Sequence, residues 1–230
     1  MSGDNIFCFD DLNTKKIRGI LFNWGKRNYK DFPWRKTDNK WHALLAEMLL
    51  QRTRVKAVVP VYNELIKKYP EPVDLANASL PEIEVVLYSL GLPARAVTIK
   101  NLAAEVALIE GQIPLNLDEI TKLPGIGSYI AAAWLSFHAG KKTVIIDANV
   151  VRWICRLVDR QCDAETRRKK WLIELAKQIT PDRKVKEYNY AVLDFTMEIC
   201  VKKPLCEICP IGAKFCAYGR KNLQPENSLA

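Results

Sequence analysis

Apolar residues in this chain recur at intervals of three and four almost from end to end, and no other property of the sequence restricts its fold as much. Ile17, Ile20, Leu21 and Trp24 form one such set, Leu44, Leu45, Met48 and Leu49 a second, and Val58, Val61, Leu65 and Ile66 a third. Each set covers one face of an α-helix. Alternating runs are nearly absent. Thr143-Val144-Ile145-Ile146 is β-branched, but four residues between a Gly-Lys-Lys turn and an Asp suit a connector between helices better than a strand. Turn signals at Pro70-Glu71-Pro72, Gly91-Leu92-Pro93, 111–114 and 124–127 cut the pattern into about ten short helices. The expectation is an all-α protein of two lobes.

Charge and cysteine usage narrow the class of partner. The 230 residues carry 35 Lys and Arg against 26 Asp and Glu, a formal +9, which favours a polyanion such as nucleic acid. At 49% hydrophobic residues the chain can bury a core, which argues against a disordered basic tail. The start, Met1-Ser2-Gly3-Asp4-Asn5, is polar, and no apolar run approaches the roughly 18 residues of a membrane span. Seven cysteines are too few for a disulfide-built scaffold. An intracellular protein facing DNA or RNA is expected, in the cytoplasm or nucleoid if the source is prokaryotic, with no membrane partner and as a monomer.

Two local patterns carry chemistry. Leu117 to Lys122 reads as a short helix capped by Asn116, ending in Leu123-Pro124-Gly125-Ile126-Gly127 before a second helix from Ser128 to Ala139. Glycines on both sides of Ile126 let the backbone turn sharply and leave helix N-terminal amides uncovered, where they bind a phosphate oxygen. The plainer reading is an ordinary glycine-capped turn. Near the other end, Cys200, Cys206, Cys209 and Cys216 can place four thiolates on one zinc ion or one [4Fe-4S] cluster.

Leu-Pro-Gly-Ile-Gly resembles the helix-hairpin-helix of the endonuclease III superfamily of DNA glycosylases, and the resemblance extends from about residue 13 to Cys216. It implies two helical lobes: a six-helix barrel over 38–141 containing the hairpin, and a second lobe from 1–37 and 142–230 that ends in the cysteine module at 200–216. Asp147, after the Gly140 turn and its apolar connector, matches the family's catalytic aspartate; as a plain residue it is a helix N-cap, and both roles can hold together. The four cysteines resemble the family's cluster ligands, which implies a [4Fe-4S] cofactor, although the spacing here is x5, x2, x6 rather than x6, x2, x5. Lys202 and Lys203 inside the first cysteine loop are either phosphate contacts or solvated lysines.

Lyase-competent members of that family carry a Lys two residues after the second hairpin glycine. Here Tyr129 holds that position, and a phenol cannot form an imine, so the resemblance implies a monofunctional glycosylase in which water is the nucleophile. Glu47 stands alone in the apolar run Ala43 to Leu50; burial would raise its pKa toward general-acid use, whereas a place at the helix edge would leave it inert. With Asp31-Phe32-Pro33-Trp34-Arg35, this segment is similar to the mismatch-specific branch, in which Gln51 matches the residue that wedges into the base stack. Gln51, Arg52, Leu123, Gly125, Ile126, Gly127, Lys141 and Lys142 are the expected DNA contacts, and double-stranded DNA with a mismatched or damaged base the expected partner.

Within the branch, the chain ends fourteen residues after Cys216, has no aromatic directly after Gly91, and reads Asp147-Ala148-Asn149 rather than Asp-Gly-Asn. All three features resemble the thymine mismatch enzymes. The expected reaction is excision of thymine or uracil opposite guanine. The alternatives are an adenine glycosylase acting opposite 8-oxoguanine or guanine, and a non-catalytic DNA-binding protein.

Overall fold

The computed structural model describes residues 9–51, 53–91 and 93–223. Among them there is no strand, and the fold is all-α. It divides into two compact units, one of Asp31–Lys141 and the other of the described residues of Met1–Lys30 and Lys142–Ala230. In chain order the helices are α1 (Asp11–Asn28); then, within the first unit, α2 (Pro33–Lys36), α3 (Lys40–Leu49), α4 (Val55–Lys68), α5 (Pro72–Asn77), α6 (Leu80–Leu87), α7 (Ala96–Leu108), α8 (Leu117–Ile120) and α9 (Ser128–His138). The chain continues with α10 (Ala148–Leu157), α11 (Lys170–Ile179), α12 (Val185–Glu198), α13 (Gly212–Phe215) and α14 (Ala217–Leu223). The number exceeds the expected ten because several, such as α2, α8 and α13, are four-residue turns too short to show a periodic face. Thr143 to Ile146 is a connector without regular structure.

The 31–141 unit is built around α3, which is buried from Ala43 through Leu49. A helix apolar on every side belongs inside a domain rather than on its surface. Trp134 of α9 seals its start by donating its indole N–H to the Lys40 carbonyl at 3.1 Å. The boundary expected at residue 38 lies instead at Asp31. Phe32 stacks on Trp34 at 5.1 Å and Trp34 meets the Tyr62 ring edge-on at 5.4 Å, which draws the Phe-Pro-Trp segment into the same core.

The other unit packs α1 against α12 along Ile17, Leu21, Tyr188, Val192 and Phe195, with α10 and α11 completing the core. The crossing is close at Gly25, where a Cβ would stand 2.6 Å from the Ala191 Cβ. Arg18 closes the end of α11, donating to the carbonyls of Gln178, Ile179 and Thr180. No helix among the described residues is long and apolar enough to cross a membrane.

Candidate functional site

The hairpin is set by local rules. Asn116 caps α8 by accepting the Glu119 N–H at 2.8 Å, and the turn closes through Leu123 N–H to the Ile120 carbonyl and Ile126 N–H to the Leu123 carbonyl. Gly125 has φ +75°, and a Cβ there would lie 2.5 Å from Thr98 Cγ2 and 2.7 Å from Met48 Cε. Gly127 differs: its backbone is extended and a Cβ would meet nothing within 4 Å. It precedes α9, whose first intrahelical bond runs from Ala131 N–H to the Gly127 carbonyl, and as a glycine it supplies no side-chain cap. A helix start with glycine at its N-cap lets a phosphate oxygen approach the backbone closely.

Two substitutions separate these roles. Gly125→Ala is expected to cost about 3 kcal/mol or more, from left-handed backbone and overpacking together. Gly127→Ala is expected to cost about 1 kcal/mol or less, yet to weaken duplex binding about tenfold by covering the amides. Thermal melting and fluorescence anisotropy on a labelled duplex read the two effects.

The rest of the hairpin divides by exposure. Leu123 is half-buried, and Ile126 is turned into the core with its amide bonded to the Leu123 carbonyl, so its side chain anchors the turn. Tyr129, the second residue of α9, is 39% exposed. Lys141 is exposed, whereas the Lys142 ammonium pairs with Asp182 at 2.5 Å. Such a surface pair is worth little and can exchange for a phosphate. Arg52 lies outside the described residues.

Glu47 lies in the middle of the α3 apolar run and is 6% exposed. Burial pushes its pKa up to about 8, and the positive charge of Arg35 only partly offsets this. Its carboxyl is therefore mostly protonated at neutral pH and can donate a hydrogen bond or a proton. Gln51 follows α3 in a half-buried turn, its side-chain amide 3.8 Å from Met48 Sδ.

In the other unit, Asp147 is the N-cap of α10. Its Oδ1 accepts from Asn149 N–H at 2.9 Å and Val150 N–H at 2.7 Å, and its Oδ2 accepts from the Asn149 side-chain amide at 3.3 Å. Both oxygens are thereby fixed in direction. The chain of bonds continues along α10: Arg152 donates to Asn149 Oδ1 at 2.9 Å, to the Thr196 carbonyl at 3.0 Å and to the Cys200 carbonyl at 2.8 Å. One turn on, Arg156 donates to Cys200 Sγ and to the carbonyls of Cys200, Val201 and Lys202. Neither arginine stands out in the motifs of the sequence. Their i, i+4 repeat on an otherwise apolar helix is the signal that marks them.

Cys200, Cys206, Cys209 and Cys216 line one cavity with Arg156 and Tyr218. Gly219 N–H points at Cys216 Sγ at 3.4 Å, and burial is the main reason that the Cys206, Cys209 and Cys216 thiols titrate above the ordinary value. Among the described residues, no three Cys, His, Asp or Glu side chains converge on one ion position. A four-iron cluster does not need such convergence, since each thiolate takes its own iron. Four thiols around an apolar cavity, with N–H groups aimed at sulfur, fit that group.

Glu47, Gln51, Tyr129 and the hairpin thus belong to the 31–141 unit, and Asp147 and the four cysteines to the other. The sequence matches the HhH-GPD superfamily of base excision DNA repair proteins over residues 45–181. A thymine/uracil-DNA glycosylase of Pyrobaculum aerophilum is 36% identical over 219 residues, covering 91% of this chain and 94% of that protein. The adenine DNA glycosylase of Homo sapiens is 30% identical over 96% of this chain but only 42% of its own length. Among solved structures, a thermostable thymine-DNA glycosylase superposes with a TM-score of 0.85 at 33% identity, covering 92% of this chain and 98% of that one. An endonuclease III trapped covalently on DNA gives 0.74 at 26% identity, covering 92% and 99%. With a family match over more than half its length and relatives aligned along nearly all of it, the chain belongs to the HhH-GPD superfamily of base excision DNA repair proteins.

Proposed function

We propose that this protein is a monofunctional mismatch-specific DNA glycosylase that hydrolyses the N-glycosidic bond of thymine or uracil opposite guanine. The observation that carries the reading is Asp147, a carboxylate fixed by two backbone amides at the head of α10, in a chain that resembles thymine/uracil glycosylases over nearly all its length. Duplex DNA is held at the glycine-led start of α9, with Lys141 and Lys142 adding charge and Lys142 exchanging Asp182 for a phosphate. Gln51 fills the stack as the target base leaves, at a cost of a few kcal/mol that a mispair lowers.

As the C1′–N bond breaks, its electron pair leaves with the base and positive charge builds on the sugar. Asp147 stabilises that charge and takes the proton of the water that attacks C1′. The neutral Glu47 carboxyl donates to the departing base, and Tyr129, which has no amine with which to form an imine, orients the nucleotide. A [4Fe-4S] cluster held by Cys200, Cys206, Cys209 and Cys216 would hold the 200–216 segment in place, with no part in the bond-breaking step. Anaerobically purified protein is expected to carry about four irons and to absorb broadly near roughly 400 nm. One zinc and no iron would overturn the cofactor.

The adenine reading keeps the support of the human relative, so the test is a panel of duplexes containing G·T, G·U, A·8-oxoguanine, A·G and damaged pyrimidines, scored for abasic sites after alkali. Excision from G·T and G·U well above the others is expected. Excision confined to A·8-oxoguanine and A·G would replace this reading by the adenine one.

A further inference from the structure

We infer that Arg95 is a positioning residue for base extrusion: its guanidinium brackets the end of α3 and makes the turn bearing Gln51 a rigid abutment, from which that side chain can enter the stack. The inference rests on the proposed role of Gln51 as the wedge. Arg95 Nη1 donates to the Met48 carbonyl at 3.1 Å and Nη2 to the Gln51 carbonyl at 2.7 Å. The first acceptor is among the carbonyls that every helix end leaves without an intrahelical partner, and the second lies in the turn itself. A cation there also meets the negative end of the helix dipole. The Gln51 carbonyl takes a further bond from Thr53 Oγ1 at 3.1 Å, so the turn is pinned at the residue whose side chain must do the pushing.

Met48 extends the same construction to the hairpin. Its carbonyl is held by Arg95, its sulfur lies 3.8 Å from the Gln51 amide, and its methyl fills the space that a Cβ on Gly125 would need. The wedge turn and the first hairpin glycine therefore lean on one side chain. Extrusion requires the target base to be unstacked and unpaired. A turn free to recede would yield before the DNA did, and a turn clamped at both carbonyls transmits that load to the stack. The 3-10 turn Pro93–Arg95 thus has a physical task beyond the helix boundary it marks, since it delivers the guanidinium to the end of α3.

The test uses the complete protein and a duplex with 2-aminopurine beside a thymine opposite guanine, the thymidine sugar bearing a 2′-fluorine to resist cleavage. Arg95→Met keeps the packed stem and removes the guanidinium. It is expected to bind a matched duplex within about twofold of the parent, since phosphate contacts are untouched. It should unstack the reporter about tenfold more slowly or worse. Gln51→Ala should give the same slow unstacking. Parental unstacking by Arg95→Met, with Gln51→Ala slow, would overturn the role of Arg95 alone. Parental unstacking by Gln51→Ala would remove the wedge and this inference with it, while leaving excision by Asp147 standing. Equal losses of matched-duplex affinity and unstacking rate in Arg95→Met would show a general structural role and also overturn the inference. If Arg95→Met melts too low to assay, Arg95→Lys, which keeps the charge but cannot bracket two carbonyls, is read by the same criteria.

Discussion

Asp147→Asn is expected to lower base excision by about 10²- to 10³-fold or more while leaving the protein folded and bound to mismatched DNA. Asn is as good an N-cap as Asp, and its side-chain oxygen can still accept from the amides of Asn149 and Val150. What is lost is the negative charge offered to the sugar as it becomes cationic, together with the 3.3 Å bond that Oδ2 accepts from the Asn149 side-chain amide. Single-turnover excision from a G·T duplex measures the rate, and a melting temperature within a few degrees of the parent checks the cap. Near-parental turnover would remove Asp147 from the mechanism.

Glu47→Gln is expected to slow excision about 10²-fold, the usual worth of a positioned acid, and at the same time to stabilise the protein at alkaline pH. The sign follows from burial. Glu47 has a folded pKa of about 8 against an ordinary value of 4.5, so between these values the folded state keeps a proton that the unfolded state has released. Parent stability is therefore highest below about pH 4.5 with respect to this group, falls as pH rises, and levels off above about 8, after a loss of up to about 5 kcal/mol. Gln carries no such proton. The two proteins should unfold alike near pH 4.5, and the variant should be the more stable by several kcal/mol at pH 8.5. Excision by the parent should decline above about pH 8 as the carboxyl ionises, a limb that the variant lacks. Denaturant unfolding and pH–rate profiles check both. Parallel stability curves would mean that Glu47 reaches solvent after all.

Features governed by neighbours in the chain are legible in the sequence alone: Asn116 and Asp147 as caps, the start of α9 at Ser128, and Thr143 to Ile146 as a connector. Each follows from rules that span a turn or two. The cysteines, too, are legible as a group, because their short spacings confine them to one small module. Features decided by tertiary packing are not. Periodicity does not say whether Glu47 sits inside α3 or at its edge. Nor does it say that Ile126 turns inward, that Phe32 and Trp34 join the 31–141 core, or that Lys142 meets Asp182 forty positions away. Arg95 and Arg152 act on carbonyls 44 to 48 positions distant, and nothing in their flanking residues names those partners.

The protein is expected to release a pyrimidine opposite guanine by hydrolysis without an amine nucleophile, and product analysis on a G·T duplex tests this. Free thymine and an equal amount of intact abasic strand, cut only by alkali and leaving no protein adduct after borohydride, is the expected result. Strands nicked without alkali, together with a borohydride-trapped protein–DNA adduct, would contradict it by showing that an amine of this chain attacks the sugar in place of water.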